Sequence, residues 1–150
     1  MEIIPLFTLQ KIDLLDVTFH RAEDDITDAD SQTKLQINLS RRTELPFLYV
    51  TLEADVWQEQ EGQRTVEAKV KMGGQFLVAE GVEAGFLDNF ADINAPAIVF
   101  PFVRETIASL TTRAGIPTVL LQPLNFVDMA QRRQQQLNST QQLSDKSTED

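Results

Sequence analysis

The sequence predicts an α+β chain: a four-stranded antiparallel sheet, then one long helix, an apolar flap and a C-terminal helix. Three observations carry this. Apolar and polar residues alternate with a period of two through much of the first half. An apolar stripe at helical spacing then runs from Ile98 to Leu110, and a proline-interrupted apolar segment follows it.

Taken in order, the segment from Ile3 to Phe19 is rich in strand formers but changes phase twice. Phe7 and Leu9 share one parity, Ile12 and Leu14 the other, and Leu15, Val17 and Phe19 return to the first. One extra residue turns every later side chain to the opposite face, so each change predicts a bulge or bend in one long strand. The acidic stretch from Glu23 to Asp30 is expected to be a solvated connection. Leu35, Ile37 and Leu39 alternate with Lys34, Gln36 and Asn38, predicting a short strand ended by the polar Ser40 to Glu44 stretch and Pro46.

From Phe47 to Val56 the alternation is clean: Leu48, Val50, Leu52, Ala54 and Val56 share one face, with Thr51, Glu53 and Asp55 on the other. A Glu61-Gly62-Gln63 turn signal leads to Val66, Ala68, Val70 and Met72, so these two segments read as a hairpin. Gly73-Gly74 is expected to break or bend the second strand before Phe76, Leu77 and Val78 resume it. Phe47, Tyr49 and Trp57 occupy the otherwise polar parity of their strand.

After Gly81 the pattern turns helical, with a short piece from Glu83 to Phe90 and a stronger helix after Asn94. Asn94 is expected to cap it, Pro96 suits a first turn, and Pro101 should bend it or mark its true start. Arg113-Ala114-Gly115 followed by Pro117 reads as a basic last turn with a left-handed C-cap. Ile116 to Phe126, with two prolines, should lie as an apolar flap over neighbouring surface. Asn125 and Asp128 resemble a capping box for a last helix reaching about Leu137. Residues 1–137 are thus expected to form one domain, and the polar residues 138–150 a disordered tail.

The composition narrows the functional classes. With 23 acidic and 13 basic residues the formal net charge is -10, which disfavours nucleic acid and anionic lipid as partners. The chain has no cysteine and one histidine, His20, so no His/Cys metal site or thiol chemistry is expected. A triad would need His20, which sits at a predicted strand end. Gly73-Gly74 is not followed by the GK[ST] of a phosphate loop. The expectation is a non-enzyme with no cofactor. With no membrane-length apolar run and no leader pattern at Met1 to Pro5, it is expected to be soluble and cytoplasmic. What stands out is an apolar surplus that one sheet and one main helix do not consume, pointing to a peptide ligand or another copy of the chain.

The stretch from Asn94 to Phe126, reading N-A-P-A-I-V-F-P-F-V-R-E, then T-I-A-S-L-T-T-R-A-G-I-P, and ending L-Q-P-L-N-F, resembles the SecB protein-export chaperones. In that family the same order runs P-x-I-L-F-P-[YF]-x-R-E, then a segment like S-R-G-x-F-P, then L-x-P-[VI]-N-F. Leu9 to Ile12, Asp16 to Phe19, and Gly73-Gly74 before Phe76 extend a weaker similarity over residues 6–137.

The resemblance implies an ATP-independent holdase that binds unfolded precursor polypeptides and hands them to the motor ATPase of the Sec translocase. It implies a homotetramer, built as a dimer of dimers. The candidate client-binding residues are Val17, Phe19, Leu35, Ile37, Leu39, Leu121 and Phe126. Ile98, Val99, Phe102, Val103, Ile107 and Leu110 are the candidate oligomer interface. Asp16 and Glu67 are the candidate motor-docking acids, although His20 and Lys69 stand where the family carries acidic residues. A chaperone dedicated to one client, such as an antitoxin, and a client-free oligomeric scaffold are the alternatives. A small-molecule module would need an enclosed pocket.

Overall fold

A computed structural model describes residues 1–24 and 32–148. The expected acidic loop therefore lies mostly outside the described residues. Four strands, β1 (Phe7–Arg21), β2 (Thr33–Glu44), β3 (Phe47–Gln60) and β4 (Gln63–Val78), form one antiparallel sheet in the order β1-β4-β3-β2. Helices α1 (Ala84–Asn89), α2 (Ala95–Arg113) and α3 (Phe126–Ser147) follow, with a π-helical turn at Phe90–Asn94 between the first two.

The two phase changes in β1 are two register shifts against β4, between Leu9 and Lys11 and between Leu14 and Asp16. They keep Phe7, Ile12, Val17 and Phe19 on the helix side of the sheet, half-buried opposite Val78, Gly74, Val70 and Ala68. The β3–β4 hairpin closes through Glu61 and Gly62 at φ of 52° and 77°. Positive φ at both central residues matches the twist of the flanking strands, hence the glycine.

Gly73-Gly74 does not break β4, which runs unbroken from Gln63 to Val78. The glycines make room instead. A Cβ on Gly73 would meet Leu15 Cδ1 at 2.9 Å, and one on Gly74 would meet Val99 Cγ2 at 2.9 Å and Phe76 Cε2 at 3.1 Å. Strand β2 is also longer than expected, because the polar residues Ser40 to Glu44 stay in backbone register with Phe47 to Thr51.

Leu48, Val50, Leu52, Ala54 and Val56 of β3 and Val66, Ala68, Val70, Met72, Phe76 and Val78 of β4 are all buried on the helix side. Helix α2 lies over them with Val99, Val103 and Ile107 fully buried. Phe90 stacks on Phe7 at 3.8 Å and meets Phe76 edge-on at 5.2 Å, fixing the π turn against the end of the sheet. Asn94 makes no side-chain cap, since its backbone is already helical and the chain enters α2 through the π turn. Pro101 lies inside α2 and does not mark its start.

The other end of α2 is as expected. Gly115 adopts φ 72°, and its N–H and that of Ile116 bond the carbonyls of Thr112 and Thr111. Arg21 adds a donor from β1 to the Ala114 carbonyl at 2.8 Å. Asn125 caps α3 by accepting from the Asp128 N–H at 3.0 Å. Helix α3 then continues through Ser147, so the segment expected to be a disordered tail from residue 138 is helical to that point. Its side chains there are all exposed, which makes it a helix without a packed face.

Candidate functional site

The helix side of β2 holds the open part of the apolar surface. Leu35, Ile37 and Leu39 pair with Val56, Ala54 and Leu52 of β3 and stay half-buried at the sheet edge. They pack against a core that includes Leu121 and Phe126. Facing them is the flap, residues 116–125, which runs without helix or strand from the C-cap of α2 to the N-cap of α3. Because the flap is extended, its side chains alternate: Val119 and Leu121 are buried while Leu120 between them is 65% exposed.

Between edge and flap lies an open cleft of about 370 Å³, lined by Leu35, Gln58, Val119, Leu120, Leu121 and Leu124 among others. A larger apolar depression of about 630 Å³ lies between the β2–β3 turn and the start of α1, with Leu45, Pro46, Val78, Val82, Ala84 and Leu87 in its wall. Arg41 ties β2 to the helical segment between these features, reaching Asp88 at 3.1 Å and Asp92 at 3.8 Å.

The fold brings together five of the seven candidate client-binding residues: Leu35, Ile37, Leu39, Leu121 and Phe126. Two of those five differ in burial: Leu121, on the flap, and Phe126, at the start of α3, are 6% and 4% exposed and pack into the core. Val17 and Phe19 lie on β1, at the opposite edge of the sheet, with β4 and β3 in between. At about 4.8 Å per strand this puts them roughly 14 Å from β2. Leu120 and Leu124, which also line the cleft, are not among the sequence candidates. The alternation of Val119, Leu120 and Leu121 is the signal that would have pointed to Leu120.

The candidate interface on α2 divides in the same way. Val99, Val103 and Ile107 are fully buried in the protomer core, so they offer no surface to a second copy. Ile98 and Phe102 point away from the sheet, at 37% and 47% exposure, and Leu110 is half-buried. Leu9 and Leu14 of β1 are also exposed.

The candidate docking acids share the outer face of the sheet. Asp16 is exposed and in register with Lys71. Glu67 is in register with His20 and is bonded by Arg64 at 2.9 Å, with Lys69 at 3.8 Å. Arg64 also lies over the Trp57 ring at 4.1 Å, and Arg42 over Tyr49 at 4.5 Å, so the outward aromatics are partly roofed by arginines. Near the hairpin tip Glu59 accepts from Lys34 at 3.0 Å and from the Trp57 indole at 2.9 Å. The Lys34 bond first, and the Trp57 bond second, hold its carboxyl below the usual glutamate range.

Among the described residues no helix is long and apolar enough to cross a membrane. The sequence matches the family of the preprotein translocase subunit SecB over residues 2–137. It is 34% identical over 131 residues to the protein-export protein SecB of Stenotrophomonas maltophilia, covering 81% of this chain and 73% of that one. The SecB of Pseudomonas fluorescens is 30% identical over 146 residues, covering 92% and 91%, and that of Hydrogenovibrio crunogenus 28% over 141, covering 91% and 94%. Among solved structures, a SecB-like chaperone of Mycobacterium tuberculosis in complex with a peptide from an antitoxin has the same fold. Its TM-score is 0.66 at 16% identity, over 79% of this chain and 88% of that one. A family match spanning residues 2–137, with relatives at 30% and 34% identity over most of both chains, shows that the chain belongs to the SecB family of export chaperones.

Proposed function

We propose that this chain is an ATP-independent holdase that binds unfolded precursor polypeptides and delivers them to the Sec translocase motor. The observation that carries the reading is the apolar edge Leu35, Ile37 and Leu39, left half-buried beside an open cleft and an exposed Leu120 in a member of an export-chaperone family. An apolar surface open along its length accepts an extended chain at many registers, where an enclosed pocket would select one small molecule. The export names of the relatives at 28% to 34% identity favour general export over a single dedicated client.

The holding step needs no nucleotide. A protein that binds only the unfolded form shifts a client's folding equilibrium in proportion to its free concentration over Kd. Exposed Ile98 and Phe102 on α2, with Leu9 and Leu14 on β1, supply the apolar area for assembly into a homotetramer. Asp16 and Glu67 on the outer face are the groups offered to the motor. Glu67 must exchange its Arg64 partner to take part.

Refolding of a denatured client in the presence of micromolar protein and no ATP tests the reading. The expected result is a delay that deepens with chaperone concentration. A client that regains activity at its spontaneous rate throughout contradicts it. Binding of the purified motor to the client-loaded protein tests delivery separately.

A further inference from the structure

The flap is attached differently from the rest of the fold. Among the described residues, 117–124 make no backbone-to-backbone hydrogen bond, and Pro117 and Pro123 have no N–H to give. The polar ties fall instead on two adjacent threonines of α2. Thr111 is 1% exposed, the one buried polar side chain among the described residues. Its Oγ1 accepts from the Val119 N–H at 3.0 Å, and its own proton faces the carbonyls of Ile107 at 3.0 Å and Ala108 at 3.1 Å. Thr112 Oγ1 meets Thr118 Oγ1 at 2.8 Å. Burial of Val119 and Leu121 supplies the remaining hold.

What the flap covers gives these ties a consequence. A cleft of about 370 Å³ is near the low end of the roughly 300–1,000 Å³ that holds a single small molecule. A length of polypeptide needs more room. The flap fills that room itself: its Val119 and Leu121 are buried in the same cluster as Phe126, with Leu35 and Ile37 packed against it.

We propose that the flap is a strap latched by Thr111. Loss of the Val119 to Thr111 bond releases residues 117–124 from α2, and the cleft beside β2 lengthens into a trough walled by Leu35, Ile37 and Phe126. An extended apolar chain then enters it. The inference rests on the holding function proposed above and assigns its regulation to Thr111, a positioning residue that need not touch the client. A segment held by few hydrogen bonds opens locally without global unfolding. Apparent client affinity is reduced by the fraction of molecules that are closed.

Thr111→Val keeps the shape of the side chain and removes the acceptor. One lost hydrogen bond shifts the open population by roughly three- to tenfold. Exchange of the Val119 to Gln122 amides in the full-length protein should quicken by that factor, while the amides of Val50 and Leu52 in β3 keep their wild-type rates. Client association should quicken in parallel, and Thr111→Ser should restore both.

A lock tests the opposite direction. Thr112→Cys with Thr118→Cys places two thiols where the hydroxyls meet, in a chain with no other cysteine. The oxidised pair should lose client capture and the reduced pair regain it. Unchanged Val119 exchange in Thr111→Val, or an oxidised pair that captures client like the wild type, overturns the latch. Exchange needs no client, so it decides on the latch even if the wild-type protein delays no client, a result that would instead defeat the holding function.

Discussion

Gly73 and Gly74 are neighbours in β4, yet alanine at the two positions should have unequal effects. At Gly74 the new methyl meets Val99 Cγ2 at 2.9 Å and Phe76 Cε2 at 3.1 Å, and both side chains are buried in the core with no room to retreat. Overpacking of this kind costs about 1–3 kcal/mol, and the lower entropy of the unfolded chain returns about 0.4–1 kcal/mol. The net is a destabilisation of about 1–2 kcal/mol. At about 2–4 °C per kcal/mol for a chain of this size, Tm should fall by roughly 2–8 °C. At Gly73 the methyl meets Leu15 Cδ1 at 2.9 Å, the end of a side chain that is 53% exposed and free to swing outward. That variant should melt within about 2 °C of the wild type. Thermal unfolding at one fixed protein concentration, followed by circular dichroism, reads both. Equal losses, or a larger loss at Gly73, would refute the argument that each glycine clears a different face of the sheet.

Phe102→Asp should reduce the particle size seen by light scattering while the helical signal persists, whereas Val103→Asp should prevent folding, because a buried unpaired carboxylate costs several kcal/mol. Tetramers from Phe102→Asp at micromolar concentration would show that this face of α2 is not the interface. Ending the chain at Asn138 should lower the helical signal but leave Tm within about 1–2 °C, since the side chains removed are exposed; a larger loss would mean that the end of α3 docks on another copy. Glu59 has a depressed pKa, so its link to Trp57 is intact above the ordinary glutamate value of about 4.3 and is lost only as pH falls through a lower one. Fluorescence of Trp57, the only tryptophan, should report that midpoint, and Lys34→Ala should raise it; an unmoved midpoint would remove Lys34 as the cause.

The sheet was legible in the sequence because a strand with one wet face repeats every two residues, and even the two bulges of β1 left a trace as changes of parity. The turn at Glu61-Gly62 and the caps at Gly115 and Asn125 were legible because each depends on local chemistry. The role of Gly73-Gly74 was not, since what a glycine faces is decided by Leu15 and Val99 from distant parts of the chain. The stripe on α2 marked the apolar residues without saying which half meets the sheet. Val99, Val103 and Ile107 do, which leaves Ile98 and Phe102 outward. The full length of α3 was hidden by a polar composition that suggests a tail, although its Gln, Leu and Arg residues favour a helix. Of the client-binding candidates, Leu35, Ile37 and Leu39 were legible as one face of a short strand but not as the edge of the sheet, which depends on strand order; Leu121 and Phe126 are buried in the core, and Leu120 is the flap residue left exposed.

Site-specific photo-crosslinking tests the central claim most directly, because it asks where an unfolded client lies. A crosslinker at Ile37, and a second at Leu120, should capture a denatured client in the absence of ATP, while one at Lys69 on the outer face of the sheet should not. Equal capture at all three positions, or capture at Lys69 alone, would contradict the assignment of the β2 edge and the flap as the client-holding surface.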